Sequence, residues 1–385
     1  MPLCKWQGIS RVLAPPVALL TVKGWLLHSW LKHPMQLLVV GQLHLMALIH
    51  GVTASKSKEA TLIPAANMAV RSRQEILWTR PHPNFIEDED RKKKVMERIR
   101  EACVKYSFFQ IENHGIPLEL LNRAMDLYKI FFDCSDEDKL LVSPKPGGTV
   151  PPAGYLKSPQ HSDEKNEHLL ILNASSGVSV YPKNPPQFKQ VLEEMISHFT
   201  KLGVLLESII SECLGLPPNT LAKFNNDRSW DFLIGLHYFP ATEAEDNGKS
   251  AHEDGNCITF VYQDEVGGLE VKKDGQWIPI APSKHKLVVN IGDVIQALSN
   301  NKFKSATHRV VRPRGKSRYS YAFYYNLQGN KWVEPLPQFT KEIGESAKYK
   351  GFFYKEYVQL RARKWTHPPS RPEDLIHLTH YSISN

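Results

Sequence analysis

The carboxyl-terminal half of the sequence consists of short segments in which apolar and polar residues alternate, and turn-forming dipeptides separate several of them. Two of these dipeptides are Asp274-Gly275 and Arg314-Gly315. The candidate strands are residues 231–239, 257–262, 268–272, 277–280, 286–290, 307–311 and 318–325. Because many short strands at this spacing are typical of closed or double-sheet antiparallel folds, the pattern predicts a jelly roll or a barrel.

Helical periodicity flanks this region on both sides, with apolar residues at every third or fourth position. The predicted helices are residues 91–107, 118–132, 187–214 and 349–363, and a strand-like run lies at 108–111. Residues 144–185 are rich in Pro, Gly, Ser and Asn and are expected to form long loops with brief strands. The predicted fold class is therefore mainly β with helical flanks (α+β).

The first 58 residues carry six basic side chains and no acidic one, so they account for six of the eight net positive charges of the 385-residue chain. The nearly neutral remainder argues against nucleic acid as a partner, because phosphate binding needs a clustered basic face. The apolar run at 37–49 is shorter than the ~20 residues of a membrane span, so no membrane partner is expected. Residues 1–67 are interpreted as an atypical leader, either a dispensable extension with Met68 as a candidate start or a targeting segment.

The five cysteines are scattered along the chain and form no CxxC pair: Cys4, Cys103, Cys134, Cys213 and Cys257. Disulfide scaffolds and zinc knuckles have closer cysteine spacing, so these residues are expected to be reduced thiols. Reduced cysteines favour a cytoplasmic location.

His252-Glu253-Asp254 places two potential metal ligands two residues apart, so on an extended backbone both side chains lie on one face. His308 lies in another strand-like stretch. Two imidazoles and one carboxylate form the facial triad of non-haem Fe(II) oxygenases, which leaves coordination positions open for substrate atoms and O2. Zinc is an alternative with such ligands, and each residue alone is more often no ligand at all.

Arg318 and Ser320 are also two residues apart on a candidate strand, shortly after His308. The planar guanidinium binds a carboxylate through two hydrogen bonds, and the serine hydroxyl adds one more. A zinc hydrolase has no need of such a clamp behind the metal. The combination therefore favours an oxygenase whose co-substrate carries a carboxylate.

With these motifs the sequence resembles the plant and fungal 2-oxoglutarate/Fe(II)-dependent dioxygenase superfamily, which includes flavonol synthase and isopenicillin N synthase. The resemblance covers residues 91–330 approximately. Further matching motifs are Phe108-Phe109-Gln110, Asn113-His114-Gly115-Ile116-Pro117, Gln263-Asp264-Glu265-Val266-Gly267-Gly268-Leu269 and Asn290-Ile291-Gly292-Asp293. The resemblance implies a distorted double-stranded β-helix (jelly roll) with an N-terminal helical domain.

Composition sets apart the leader at 1–67, and the resemblance implies an N-terminal dioxygenase domain at 68–185, a bracing helix and connection at 186–229 and a catalytic jelly roll at 230–330. A C-terminal helical segment follows at 331–385. The last segment is a candidate lid over the barrel mouth or a structural brace. By the same resemblance, His252, Asp254 and His308 are the catalytic iron ligands, while Arg318 and Ser320 bind 2-oxoglutarate.

Residues near these motifs depart from the family pattern in two places. The family's tyrosine whose hydroxyl binds the co-substrate corresponds to Phe239, which is therefore expected to face the co-substrate pocket without a hydroxyl. His237 or Tyr238 is expected to compensate. Glu253 replaces the usual threonine between the ligands and is expected to point away from the metal. Tyr324 is a candidate substrate-facing aromatic, although a ring packed in the core is an equal alternative.

The resemblance implies that 2-oxoglutarate and O2 are co-substrates, that succinate and CO2 are released, and that ascorbate is a candidate reductant. The substrate would be a small organic molecule of specialised or hormone metabolism, hydroxylated or desaturated without an obligate protein partner. Two alternatives stay open. One is an iron oxidase of the same fold that does not use 2-oxoglutarate, as in isopenicillin N synthase or aminocyclopropanecarboxylate oxidase; the other is a non-catalytic binder of small ligands.

Overall fold

The computed structural model describes residues 89–145, 147–149, 151–366 and 375–383. The helices in this part of the chain are α1 Glu89–Lys105, α2 Leu118–Phe132, α3 Asp136–Leu140, α4 Phe188–Cys213, α5 Thr220–Phe224, α6 Asp293–Leu298 and α7 Tyr354–Thr366. The strands are β1 Phe108–Glu112, β2 Gly154–Lys157, β3 Asn166–Leu172, β4 Phe232–Tyr238, β5 Asn247–His252, β6 Ile258–Gln263, β7 Leu269–Lys273, β8 Gln276–Pro279, β9 Lys286–Ile291, β10 His308–Val311, β11 Arg318–Tyr325, β12 Trp332–Val333 and β13 Phe352–Phe353.

Most of the described strands form a large and a small antiparallel sheet, as the alternating pattern predicts, while β12 and β13 pair with each other. The large sheet has seven strands in the order β1-β9-β6-β11-β4-β3-β2, and the small one has four in the order β5-β10-β7-β8. Buried side chains of both sheets meet in one apolar cluster, for example Tyr238 and Val288 from the large sheet with Val271 and Val310 from the small one. The two sheets therefore enclose an interior, which confirms the jelly-roll prediction.

Strand β11 shows how alternation assigns its side chains to two faces of the large sheet. The face turned away from the interior between the sheets carries Tyr321, Phe323 and Tyr325. There Phe323 stacks on Phe199 of α4 with ring centroids 5.2 Å apart. Helix α4 approaches the sheet so closely that a Cβ on its Gly203 would lie 2.3 Å from the Tyr325 ring. The alternate residues of β11 are left to face the interior between the sheets.

Several sequence-based boundaries agree with the structure to within a few residues, including the long helix predicted at 187–214 and observed as α4. The segment 144–185 contains the expected strands as β2 and β3, although β3 is longer than a brief strand and pairs with β4 along seven residues. Strand β5 and helix α6 were not predicted. The leader at 1–67 lies outside the described residues.

No helix among the described residues has the length and apolar character needed to cross a membrane. Four of the five cysteines fall in the described part, and each is a free thiol: Cys103, Cys134, Cys213 and Cys257.

Candidate iron and co-substrate site

The three residues of the predicted triad lie together at one end of the small sheet. His308 opens β10 and is the register partner of His252, the last residue of β5. Asp254 follows two residues later, and one potential ligand atom from each residue lies within 4.8 Å of the others. The Nε2 atoms of His252 and His308 are 3.7 and 3.8 Å from carboxylate oxygens of Asp254. Two imidazole nitrogens and one carboxylate oxygen at these separations suit the facial coordination of a divalent iron.

The tautomer of both triad histidines follows from hydrogen bonds to the backbone. Nδ1 of His252 is 2.8 Å from the carbonyl oxygen of Ser250, and Nδ1 of His308 is 2.9 Å from that of Ala306. A carbonyl oxygen can only accept, so Nδ1 carries the proton in both rings. Nε2 is then the unprotonated nitrogen that can bind a metal.

The carboxylate of Asp254 is buried and oriented by neighbours on the large sheet. Its Oδ2 accepts hydrogen bonds from Thr259 Oγ1 at 2.7 Å and from Asn290 Nδ2 at 2.9 Å. The hydroxyl of Tyr324 lies 3.5 Å from its Oδ1. These contacts hold the carboxylate in one orientation, as outer partners of metal ligands commonly do.

Glu253 points away from the triad, as expected. It lies between two triad residues in the segment 252–254, the metal-binding turn, and its contacts join this turn to the C-terminal segment. One carboxylate oxygen accepts from Thr307 Oγ1, and the other lies 3.3 Å from Nδ1 of His377. Its backbone carbonyl accepts from Nη2 of Arg361 on α7. Nη1 of the same arginine donates to Asp293 Oδ2 at 3.0 Å.

Arg318 and Ser320 both face the interior, and Arg318 is 1% exposed. The guanidinium donates from Nε to Gly267 O at 2.7 Å, from Nη1 to Ser320 Oγ at 2.9 Å, and from Nη2 to Gln263 Oε1 at 3.0 Å. No acidic side chain pairs with Arg318 within the described ranges. Burial lowers its pKa, but a guanidinium remains charged in a protein. A buried cation held only by neutral acceptors is suited to an anionic ligand.

The expectation that Phe239 faces the co-substrate pocket was wrong. Tyr238 is the register partner of Arg318, so both side chains lie on the inner face, and the guanidinium carbon is 4.9 Å from the tyrosine ring centroid. Phe239 follows Tyr238 and lies on the other face, where its ring is 4.8 Å from that of His237. His237 is itself bound to Glu167, so of the two residues expected to compensate only Tyr238 faces the clamp.

A pocket of about 110 Å³ opens beside the triad. Its apolar wall includes Phe232, Ile234 and Tyr324, and the Phe232 and Tyr324 rings stack with centroids 4.5 Å apart. Helix α7 contributes Tyr354, Val358 and Arg361 to the lining, which also includes His252 and Asp254. The ring of Tyr324 packs against Phe232, and the residue also lines the pocket.

Sequence reasoning gave no role to several residues that surround the site. Gln263 and Asn290 belong to motifs that carry the family resemblance, so these motifs could have identified both as residues of the site. Arg361 lies in a helix of mixed charge, where periodicity does not distinguish it from surface arginines. Lys249, whose Nζ is 2.6 Å from Glu164 Oε2, lines the pocket from a strand that the sequence did not predict.

Two protein families match the sequence. Residues 230–327 match the 2OG-Fe(II) oxygenase superfamily, and residues 82–195 match the family described as non-haem dioxygenase in morphine synthesis, N-terminal. Both matches fall within or close to the parts of the chain for which the motifs predict such a protein.

Individual proteins agree with these matches. A flavonol synthase/flavanone 3-hydroxylase of Arabidopsis thaliana is 32% identical over 70% of this chain and 83% of its own length. A 1-aminocyclopropane-1-carboxylate oxidase of Diospyros kaki is 30% identical over 70% of this chain and 85% of its own. Among solved structures, JOX2 in complex with 2OG, Fe and JA has a TM-score of 0.68 at 28% identity, covering 77% of this chain and 88% of that one.

Proposed function

This chain belongs to the 2-oxoglutarate/Fe(II)-dependent oxygenase superfamily, and from that premise we propose that it oxidises a small organic molecule at the site formed by His252, Asp254 and His308. In this proposal the three residues hold Fe(II), and Arg318, Ser320 and Tyr238 bind the far carboxylate of 2-oxoglutarate. The net reaction consumes O2 and 2-oxoglutarate and releases succinate and CO2. Ascorbate is the proposed reductant that keeps the iron divalent.

The observation that carries the proposal is the burial of Arg318, without a salt bridge in the described part of the chain, in the same interior as the triad. Tyr238 packs beside Arg318 and belongs to the apolar cluster that also contains Val271, the register partner of His308. A buried cation and a metal site that share one interior are matched to a co-substrate with a metal-chelating end and a carboxylate at the other end.

Each group of residues has a distinct task. Bound iron and O2 supply the oxidising chemistry, which no protein side chain provides. The two imidazoles present lone pairs on one side of the site, and the Asp254 carboxylate adds the negative charge. The stacked pair Phe232 and Tyr324 provides an apolar wall for the substrate and excludes water from this side of the pocket.

The substrate class that fits this wall is a small, largely apolar molecule that offers a C–H bond for hydroxylation or desaturation. The relatives named above include a flavonol synthase and JOX2, whose solved structure contains JA. These relatives support a substrate of specialised or hormone metabolism. We also propose a cytoplasmic location, based on the free thiols, and activity without nucleic acid, a membrane or an obligate protein partner.

Anaerobic titration of the purified protein with Fe(II), with and without 2-oxoglutarate, tests the assignment, followed by a screen of small molecules for succinate release. We expect saturable iron binding, 2-oxoglutarate binding that requires the metal, and succinate formation coupled to substrate oxidation. Substrate oxidation that proceeds without 2-oxoglutarate would instead support an oxidase of the kind found in the Diospyros kaki relative. Ligand binding without any turnover would support the non-catalytic alternative.

A further inference from the structure

Gln263 is the last residue of β6 and lies directly opposite Ser320 on β11. Opposite residues of antiparallel strands project to the same face, so Gln263 shares the inner face with Ser320 and Arg318. Its side chain is 4% exposed, and Oε1 accepts the hydrogen bond from Arg318 Nη2 at 3.0 Å. The two Nη atoms of the guanidinium are thus bound by Ser320 on one side and Gln263 on the other.

The orientation of the Gln263 amide is fixed by chemistry, because arginine has only donors and must face the oxygen. The amide nitrogen Nε2 therefore points elsewhere. Nε2 is fully buried and meets no acceptor in the described part of the chain. A buried donor without a partner is destabilising, and such groups in native proteins usually have a ligand or a water as partner.

The neighbouring carboxylate of Asp264 does not fill this role. Its Oδ1 accepts from the backbone N–H of Val266 at 3.0 Å, and its Oδ2 accepts from the backbone N–H of Tyr319. The amide of Gln263 and the guanidinium of Arg318 thus form a cluster of donors in which the positive charge makes no salt bridge within the described ranges.

We propose that Gln263 is a co-substrate-binding residue whose Nε2 donates to the far carboxylate of 2-oxoglutarate while its Oε1 positions the Arg318 fork. This inference rests on the proposed function and deepens it, since it adds a neutral donor to the clamp formed by Arg318, Ser320 and Tyr238. A carboxylate has about four lone-pair positions, so it can accept one hydrogen bond each from the guanidinium, the Ser320 hydroxyl, the Tyr238 hydroxyl and the Gln263 amide.

Calorimetric titration of the anaerobic Fe(II) protein tests the inference with two 2-oxo acids. 2-Oxoglutarate carries the far carboxylate, whereas 2-oxobutyrate has the same metal-chelating end without it. Hydrogen bonds to charged groups typically contribute enough for about a ten- to hundredfold change in affinity. We expect Gln263→Met to raise the Kd for 2-oxoglutarate by about tenfold or more and to leave the Kd for 2-oxobutyrate within about twofold of wild type.

Two further variants separate the roles. Gln263→Glu keeps an oxygen toward Arg318 but replaces the donor with a negative charge, so it should weaken 2-oxoglutarate binding at least as much as Gln263→Met. Gln110→Met is the matched control, because Gln110 is a buried glutamine of the same sheet whose amide binds Ala281 O instead. It should change neither Kd.

An unchanged Kd for 2-oxoglutarate in Gln263→Met, or an equal rise for both 2-oxo acids, would overturn the inference. Wild-type affinity in Gln263→Glu would also overturn the donor assignment. Unaltered binding of 2-oxobutyrate shows that a variant is folded and holds its metal. Failure of the wild-type protein to bind 2-oxoglutarate at all would count against the proposed function rather than against the role of Gln263 within it.

Discussion

At the scale of single residues, the metal site depends on two carbonyl groups that lie outside it. For both rings the carbonyl belongs to the residue two positions before the histidine, Ser250 for His252 and Ala306 for His308. Each carbonyl fixes the proton on Nδ1 and therefore presents Nε2 to the metal. The backbone at Ser250 and Ala306 thus decides which nitrogen of each ring carries the proton, and the sequence alone does not reveal this.

Replacement of His308 by alanine is expected to lower turnover by more than about a hundredfold, since even outer partners of metal ligands commonly contribute ten- to a hundredfold. Iron content and turnover of purified His308→Ala measure this effect, with circular dichroism as the test of folding. His285→Ala is the control, because His285 is an exposed histidine of the same domain. Full activity and unchanged iron content in His308→Ala would show that His308 is no ligand.

Arg318→Lys is expected to raise the KM for 2-oxoglutarate by about tenfold or more. Lysine keeps the charge but loses the planar fork, and with it a charge-assisted hydrogen bond. Steady-state kinetics at saturating substrate give the KM. Arg309→Lys, at a half-buried arginine paired with Glu270, should leave the KM unchanged. A wild-type KM in Arg318→Lys would argue for an enzyme that does not use 2-oxoglutarate.

The opposite faces of Tyr238 and Phe239 give a paired prediction. Tyr238→Phe removes a hydroxyl beside Arg318 and should raise the KM for 2-oxoglutarate by about two- to tenfold, the effect of one ordinary hydrogen bond. Phe239→Tyr adds a hydroxyl on the other face and should leave the KM unchanged. If Phe239→Tyr instead lowered the KM, the observed strand register at this position would be incorrect.

At the scale of elements, α7 is attached to the metal-binding turn through polar contacts rather than apolar packing alone. Arg361 binds the backbone of Glu253, and both Arg361 and the Tyr357 hydroxyl bind Asp293 Oδ2. Asp293 is buried, and its backbone N–H donates to the carbonyl of Asp254. A displacement of α7 would therefore disturb the loop that carries one of the proposed ligands.

Arg361→Met is expected to destabilise the protein by about 3–5 kcal/mol, because it leaves the Asp293 carboxylate buried without its cation. Burial already raises the pKa of Asp293, and Arg361 opposes this rise. The double variant Arg361→Met/Asp293→Asn should recover much of the stability but not the iron affinity, since the contact with Glu253 stays lost. Denaturant unfolding and Fe(II) titration measure the two effects. Equal recovery of both would assign Arg361 to stability alone.

The sequence predicted those elements whose residues alternate or repeat strongly, such as α4 and β11. It did not predict β5, because Asn247–His252 is polar and half exposed and has no apolar face to detect. The error at Phe239 has a related cause. The family pattern identified the segment, but the choice between neighbouring residues depends on strand register, which Arg318 and its pairing with Tyr238 determine in the folded protein.

At the scale of the whole molecule, the described fold combines strands from distant parts of the chain around one site. The family matches begin at residue 82, after the basic leader. Because the leader differs from the remainder in composition, a chain that begins at Met68 is expected to be soluble and to keep the kcat and the KM for 2-oxoglutarate of the full-length protein. Parallel expression and kinetics test this expectation. An insoluble or inactive shortened protein would mean that residues 1–67 contribute to folding or to the site.

The large sheet also constrains how such a gene can change. Strand β1 pairs with β9, and β3 pairs with β4, so strands that precede residue 230 complete the large sheet on both sides of the strands from residues 230–330. A recombination event that exchanged only residues 230–330 would place foreign β9 and β4 against the resident β1 and β3, and a poor match would leave strand edges unpaired and prone to aggregation. Residues 230–330 and the strands that precede them are therefore expected to be inherited together. New substrate preferences in such a lineage would then arise through point substitutions around the pocket rather than through exchange of the 230–330 segment.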